Sequence, residues 1–135
     1  MRVFRLYQCN REIQSLNRKY RTVDTDIGFV ETLLRNDGHL PADPYSNLQY
    51  RRNGEPVRVF KARVLVRQLG GKRSGLRLVY EILDAGGVRC CVLLHTYLHA
   101  QDINENEVRK TILARVDSYD VSLESIGKVG LEVLG

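Results

Sequence analysis

Two groups of side chains in this sequence have the types and spacing for proton transfer and for gripping phosphate. His95, Tyr97 and His99 recur at period two near the end of an apolar run, VRCCVLLHTYLH. Imidazole is the side chain best suited to carrying a proton near neutral pH, and a tuned tyrosine can assist it. Upstream, Lys61, Arg63 and Arg67 alternate with apolar residues in VFKARVLVR, and Arg77 opens the next run, LRLVYEILD. Cations two residues apart on a strand stand on one face about 7 Å apart, near the spacing of successive phosphates, so a row of them can hold a nucleic-acid backbone. Lys72 and Arg73, in GGKRSG, add charge in front of Arg77. An outward sheet face in plain solvent carries the same pattern, with His95 a half-buried strand residue and His99 a loop residue.

Charge is uneven along the chain. The net charge is +5, but from Arg51 to Arg77 nine lysines and arginines are opposed by Glu55 alone. Such a field of one sign fits a polyanionic partner without requiring one. Other chemistries find little footing. His95 and His99, with Asp102 beyond, lack the helix that would bring two imidazoles onto one metal, and no metal or other cofactor is expected. Gly70-Gly71-Lys72 is too short for a Walker-type phosphate loop, and no serine or cysteine stands in a nucleophile context.

The elements that must position these residues follow from periodicity. MRVFRLYQ reads as a short strand. Asn10 then caps a helix carrying Ile13, Leu16, Tyr20 and Val23 on one stripe, and a second helix after Asp24 or Thr25 turns Ile27, Val30, Leu33 and Leu34 inward. Asn36-Asp37-Gly38 supplies its stop, so the two form a helical hairpin. His39 to Pro56, with its three prolines, is a long loop. Three strands follow. In the first, Phe60, Ala62, Val64 and Val66 face one way and Lys61, Arg63, Leu65 and Arg67 the other. The next two are joined antiparallel by Asp84-Ala85-Gly86-Gly87, and strict alternation from that hairpin places Thr96, rather than His95, on the Arg77 face. A helix capped by Asp102 or Asn104 buries Val108, Ile112, Leu113 and Val116 and ends near Ser118; the tail DVSLESIGKVGLEVLG is a short helix, a strand or a partner-bound segment.

Length and composition frame a single domain. The chain has 135 residues, 43% hydrophobic and 27% charged, enough for a continuous core without disulfides. No apolar run approaches the roughly 20 residues that cross a bilayer, and MRVFRLYQCNREIQ is too broken by charge for a secretory signal. Cys9 with the adjacent Cys90 and Cys91 is an odd set that reads as reduced, so a cytoplasmic protein is expected.

The order of a strand, two helices, and antiparallel strands containing FKARV, GGKRSGLRLVYEI and VLLHTYLHAQDINENEV resembles the RelE/ParE superfamily of bacterial and archaeal toxins, close in style to its RelE and HigB branches. The resemblance covers roughly residues 1 to 118, with 119–135 as an extension of the same domain. It implies an α+β fold, a small antiparallel sheet with the helical hairpin packed on one face plus a C-terminal helix. The activity it implies is a metal-free endoribonuclease, an interferase that cuts messenger RNA, free or on the ribosome, and is neutralised by an antitoxin protein; a homodimer or a toxin–antitoxin hetero-oligomer is the implied assembly. Arg77 matches the arginine that holds the scissile phosphate. Lys61 and Arg63 match the RNA-binding strand, with Arg67, Lys72 and Arg73 extending it. Tyr97 matches the terminal aromatic or basic cluster, with His95 or His99 as proton carrier, and Glu55 resembles a glutamate base of one branch. A ParE-like member would instead keep the fold and act on a protein target such as a topoisomerase without cutting RNA.

Overall fold

The computed structural model describes residues 1–38, 40–45, 48–69, 75–99 and 103–134. Lys72, Arg73 and the expected cap Asp102 lie outside the described residues. The architecture is α+β. Strand β1 (Arg2–Leu6) runs straight into helix α1 (Tyr7–Lys19), and α2 (Val23–Asp37) returns antiparallel to it. Helix α1 starts three residues before the expected cap, because Asn10 is occupied elsewhere: its side-chain oxygen accepts from Arg5 Nη1 at 3.0 Å. Helix α2 ends as its sequence requires, with Gly38 at φ 63° donating its N–H to Leu34.

The loop that follows holds three short strands, β2 (Asp43–Pro44), β3 (Arg51–Arg52) and β4 (Glu55–Pro56). The long strands are β5 (Arg58–Val64), β6 (Leu76–Ala85) and β7 (Val88–Leu98); Gly86 and Gly87, both at positive φ, close the β6–β7 hairpin. Helix α3 (Glu105–Val116) is capped by Asn104, whose side chain accepts from the Glu107 N–H. The tail resolves into helix α4 (Leu123–Val129), capped by Ser122, and strand β8 (Gly130–Glu132).

The main sheet has six strands in the order β2-β5-β6-β7-β1-β8. It is mixed, and this corrects the expectation of an antiparallel sheet: β1 lies parallel to β7, with Arg2 opposite Cys90 and Arg5 opposite Leu93. The reason is directional. The helical hairpin and the loop after it return the chain to the end of the sheet where β1 began, so β5 runs with β1. Two hairpins later β7 does too. The tail strand β8 then pairs antiparallel with β1, and a Cβ at Gly130 would stand 2.5 Å from the Arg5 carbonyl oxygen, so glycine is what permits the approach.

Both sheet faces are covered. On one, Tyr80, Leu93 and Ala62 meet Cys9 and Ile13 of α1 and Ile27 and Leu34 of α2, all buried. Arg5 projects to the same side and meets Glu31 of α2 in a two-pronged ion pair, Nε–Oε2 2.6 Å and Nη2–Oε1 2.8 Å, with Glu31 1% exposed. On the other face, Glu81 of β6 holds Arg52 of β3 at 2.6 Å and accepts from the Tyr119 hydroxyl, fastening the β3–β4 hairpin and the chain after α3.

Breaking a buried pair leaves one charge uncompensated, which costs about 3–5 kcal/mol, whereas replacing both members by apolar residues is close to neutral. Glu31→Gln should therefore lose most of that amount in urea unfolding, and Arg5→Met with Glu31→Leu should regain it; equal losses in the single and double variants would show that the pair is not the source.

Candidate functional site

The β6–β7 register decides the site. From the hairpin outward, Ala85 faces Val88, Glu81 faces Val92 and Tyr80 faces Leu93; then the register shifts, and Val79 faces His95 and Arg77 faces Tyr97. Leu94 is the extra residue of a β-bulge. Every side chain beyond it is turned to the opposite face from the one regular alternation assigns. The expectation that Thr96 shares the Arg77 face is thereby overturned: Thr96 faces Leu78 and bonds the Arg77 carbonyl through its hydroxyl at 2.8 Å, while His95 and Tyr97 take the Arg77 side.

The bulge sits where β7 loses its neighbour. Pairing with β1 ends at Arg5 opposite Leu93, and two side chains then take over the exposed strand edge. Arg115 of α3 donates to the Leu94 carbonyl at 2.8 Å, and Glu12 of α1 accepts from the Thr96 N–H at 3.3 Å. Glu12 and Arg115 are themselves joined by two bonds of 2.8 Å. His95 completes the group, its Nδ1 at 3.0 Å from both Glu12 oxygens and stacked on Tyr97 with centroids 5.1 Å apart. Arg115 Nη1 also stands 3.2 Å from Nδ1, but the two nearer carboxylate oxygens favour the neutral ring with its proton on Nδ1, which leaves Nε2 as the lone-pair nitrogen. This is the arrangement that orients a histidine for general-base work. Burial pushes the Glu12 carboxyl up, but the hydrogen bonds from His95 and Arg115 outweigh it and hold the group below the ordinary range.

Beside this group lie the cations. Lys61 faces Val79 and Arg63 faces Arg77, so Lys61, Arg63, Arg77, His95 and Tyr97 share one face, with Arg77 diagonal to His95 at about 7 Å. Two arginines directly opposite on neighbouring strands repel unless an anion lies between them. Among the described residues, Lys61, Arg63 and Arg77 form no ion pair. Arg77 is half-buried, and Arg63, exposed at the sheet edge, also reaches a groove against α2. Tyr97 is buried, 9% exposed, and its hydroxyl has no hydrogen-bond partner among the described residues. Burial, and then the charge of Glu105 and the nearby Tyr45, push it up to about 12 against the opposing effect of Arg77. At neutral pH it is a donor and not a base.

Other expected members stand apart. Arg67 lies beyond the end of β5, in a single 3-10 turn (Arg67–Leu69), and its guanidinium bonds Asp26 of α2 at 3.0 Å. It is held on the helical-hairpin side, not in the Lys61 row. Glu55 sits exposed on the β3–β4 hairpin, beside Leu83 and Asp84 at the far end of β6. Asp84 is seven residues from Arg77, about 23 Å along the strand, so Glu55 does not join the group. His99 is exposed just past the end of β7, its N–H bonded to the Gly75 carbonyl. No cluster of three potential metal ligands exists among the described residues, and no helix there is long and apolar enough to cross a membrane.

The residues that sequence reasoning missed are Glu12, Arg115, Tyr45 and Glu105. Glu12 and Arg115 each precede a buried apolar helix position, Ile13 and Val116, and that flanking place was the signal available. Comparison with protein-family models, curated proteins and solved structures gives no match.

Because the Glu12 carboxyl is held below its unfolded value, the network stabilises the fold above the carboxylate range, and that contribution is lost as pH falls through the folded pKa. The difference in urea midpoint between the wild type and Glu12→Gln should be full at pH 7 and begin to close below about pH 4.3. A difference independent of pH would remove Glu12 ionisation from the account.

Proposed function

We propose that the chain is a RelE/ParE-like toxin, a metal-free endoribonuclease that cuts messenger RNA, free or on the ribosome, in the cytoplasm, and is restrained by an antitoxin. The observation that carries this reading is the bulge at Leu94, which puts an oriented histidine and a tyrosine donor in register with Arg77 and Lys61. The α+β order of a strand, two antiparallel helices and then antiparallel strands supports it as well.

The chemistry follows from the side chains. His95 Nε2 removes the ribose 2′-hydroxyl proton, the oxygen attacks the adjacent phosphorus, and the P–O5′ bond breaks as the 5′-oxygen takes a proton from the His95 imidazolium or from His99, leaving a 2′,3′-cyclic phosphate. Glu12 stabilises the imidazolium formed in the first step. Arg77 and Lys61 donate to the phosphorane oxygens as charge gathers there, the kind of contact whose removal costs about 10²–10³ in rate. His99 is the second imidazole near the strand end, and its substitution separates a one-histidine from a two-histidine transfer.

A second reading, a toxin or binding module that acts through protein contacts without cutting RNA, is favoured by a different feature. Phe29 and Leu65 are each 67% exposed and, with Leu33 and Thr25, line a groove of about 500 Å³ between α2 and the β5 edge.

Induction of the wild type, Arg77→Ala and His95→Ala, with transcript cleavage mapping, tests both. New cut sites in the wild type should fall at least about hundredfold in either variant. Growth arrest without cuts would favour the protein-contact reading, and no arrest from folded protein would overturn the toxin assignment.

A further inference from the structure

Next to the Lys61–Arg77 row is a cleft of about 580 Å³, lined by Tyr45, Gln49, Lys61, Glu105, Asn106 and Arg109. That size falls within the range of about 300–1,000 Å³ typical of small-molecule sites. One wall is Tyr45, whose N–H bonds the Val59 carbonyl at 2.8 Å, with Gln49; the other is the start of α3. Its content is mixed in a particular way. Tyr45 offers an aromatic ring, with Lys61 Nζ 5.7 Å from its centroid. Gln49 and Asn106 are exposed amides, each a donor and an acceptor. Tyr97, whose buried hydroxyl has no hydrogen-bond partner among the described residues, stands opposite Arg77 on the same sheet face as Lys61.

Phosphate alone needs cations, and a peptide groove needs apolar walls. A ring and two amides, set among Lys61, Arg109 and the Glu105 carboxylate beside a phosphate row, match an unstacked base, which proteins hold by stacking on an aromatic and by hydrogen bonds to its edges. We infer that this cleft holds one base of single-stranded RNA beside the phosphate at Arg77, with Tyr45 as the stacking face and Gln49 and Asn106 reading the base edge. The inference rests on the ribonuclease reading and adds to it the place where a cleavage-site preference arises. Lys61 belongs to both sites, joining base to backbone.

Equilibrium binding by fluorescence anisotropy tests this, with labelled 2′-O-methyl hexanucleotides that cannot be cleaved and that differ at one position. The wild type should show a spread of at least about tenfold between the best and worst base at that position. Gln49→Ala with Asn106→Ala should shrink the spread to about twofold while leaving the weakest oligonucleotide bound as before. Asn106→Asp, which exchanges a donor for an acceptor, should reorder the bases, and Arg77→Ala should weaken all oligonucleotides alike while preserving the spread. Equal binding of all four bases by the wild type, or a spread untouched by the double variant, would overturn the base site and leave the ribonuclease reading standing. Failure of the wild type to bind any RNA would take down the ribonuclease reading, and the base site with it.

Discussion

A strand has a side-chain period of two, so one inserted residue reverses the facing of everything beyond it. In β7 that residue is Leu94, and the arrangement of the candidate site depends on it. Without the insertion, His95 would turn toward the face that carries Leu78 and Tyr80, and Arg77 would stand opposite a threonine. A bulge leaves backbone groups without ladder partners. Here the Leu94 carbonyl is taken by Arg115 and the Thr96 N–H by Glu12, side chains from two different helices. The two residues that make the bulge tolerable are also the two that surround His95.

The same device recurs elsewhere in the molecule. Arg5 with Glu31, Arg52 with Glu81, and Arg115 with Glu12 each join an arginine fork to a carboxylate, the first two between the main sheet and a neighbouring element and the third between two helices at its edge. Such buried pairs add little net stability over apolar residues, because both charges must leave water. What they supply here is position. The first fixes where α2 crosses β1, the second where the β3–β4 hairpin and the post-α3 segment sit on β6, and the third fixes α1 and α3 against the free edge of β7. All three lie next to strands that carry the Lys61–Arg77 row or support it.

This use of arginine changes how the basic character of the chain is read. Of the cations between Arg51 and Arg77, Arg52 and Arg67 are engaged with Glu81 and Asp26. Lys61, Arg63 and Arg77 instead share one face with a tyrosine donor and a histidine. A patch of cations that form no ion pair among the described residues, beside groups able to move a proton, is suited to an anion whose charge increases during reaction, which is where fixed donors contribute most.

By itself the sequence determined the helical stripes apart from Leu33, whose periodicity points inward but which lines the groove beside Phe29, and also the αL stop at Gly38, the β6–β7 hairpin and the alternation that sets Lys61 and Arg63 apart from Phe60 and Ala62. These are local, written in the 3.6- and 2-residue periods and in the φ demands of glycine. It also singled out Arg77, His95 and Tyr97 by type. Only the tertiary structure decided that they meet. The parallel pairing of β1 with β7 joins segments more than eighty residues apart, the bulge arises where that pairing ends, and Glu12 and Arg115 reach it from separate helices. Arg67 shows the converse, since a strand that stops at Val64 sends it to Asp26 however regular the alternation. Register and edge completion come from contacts distant in sequence, and periodicity within a single segment carries no record of them.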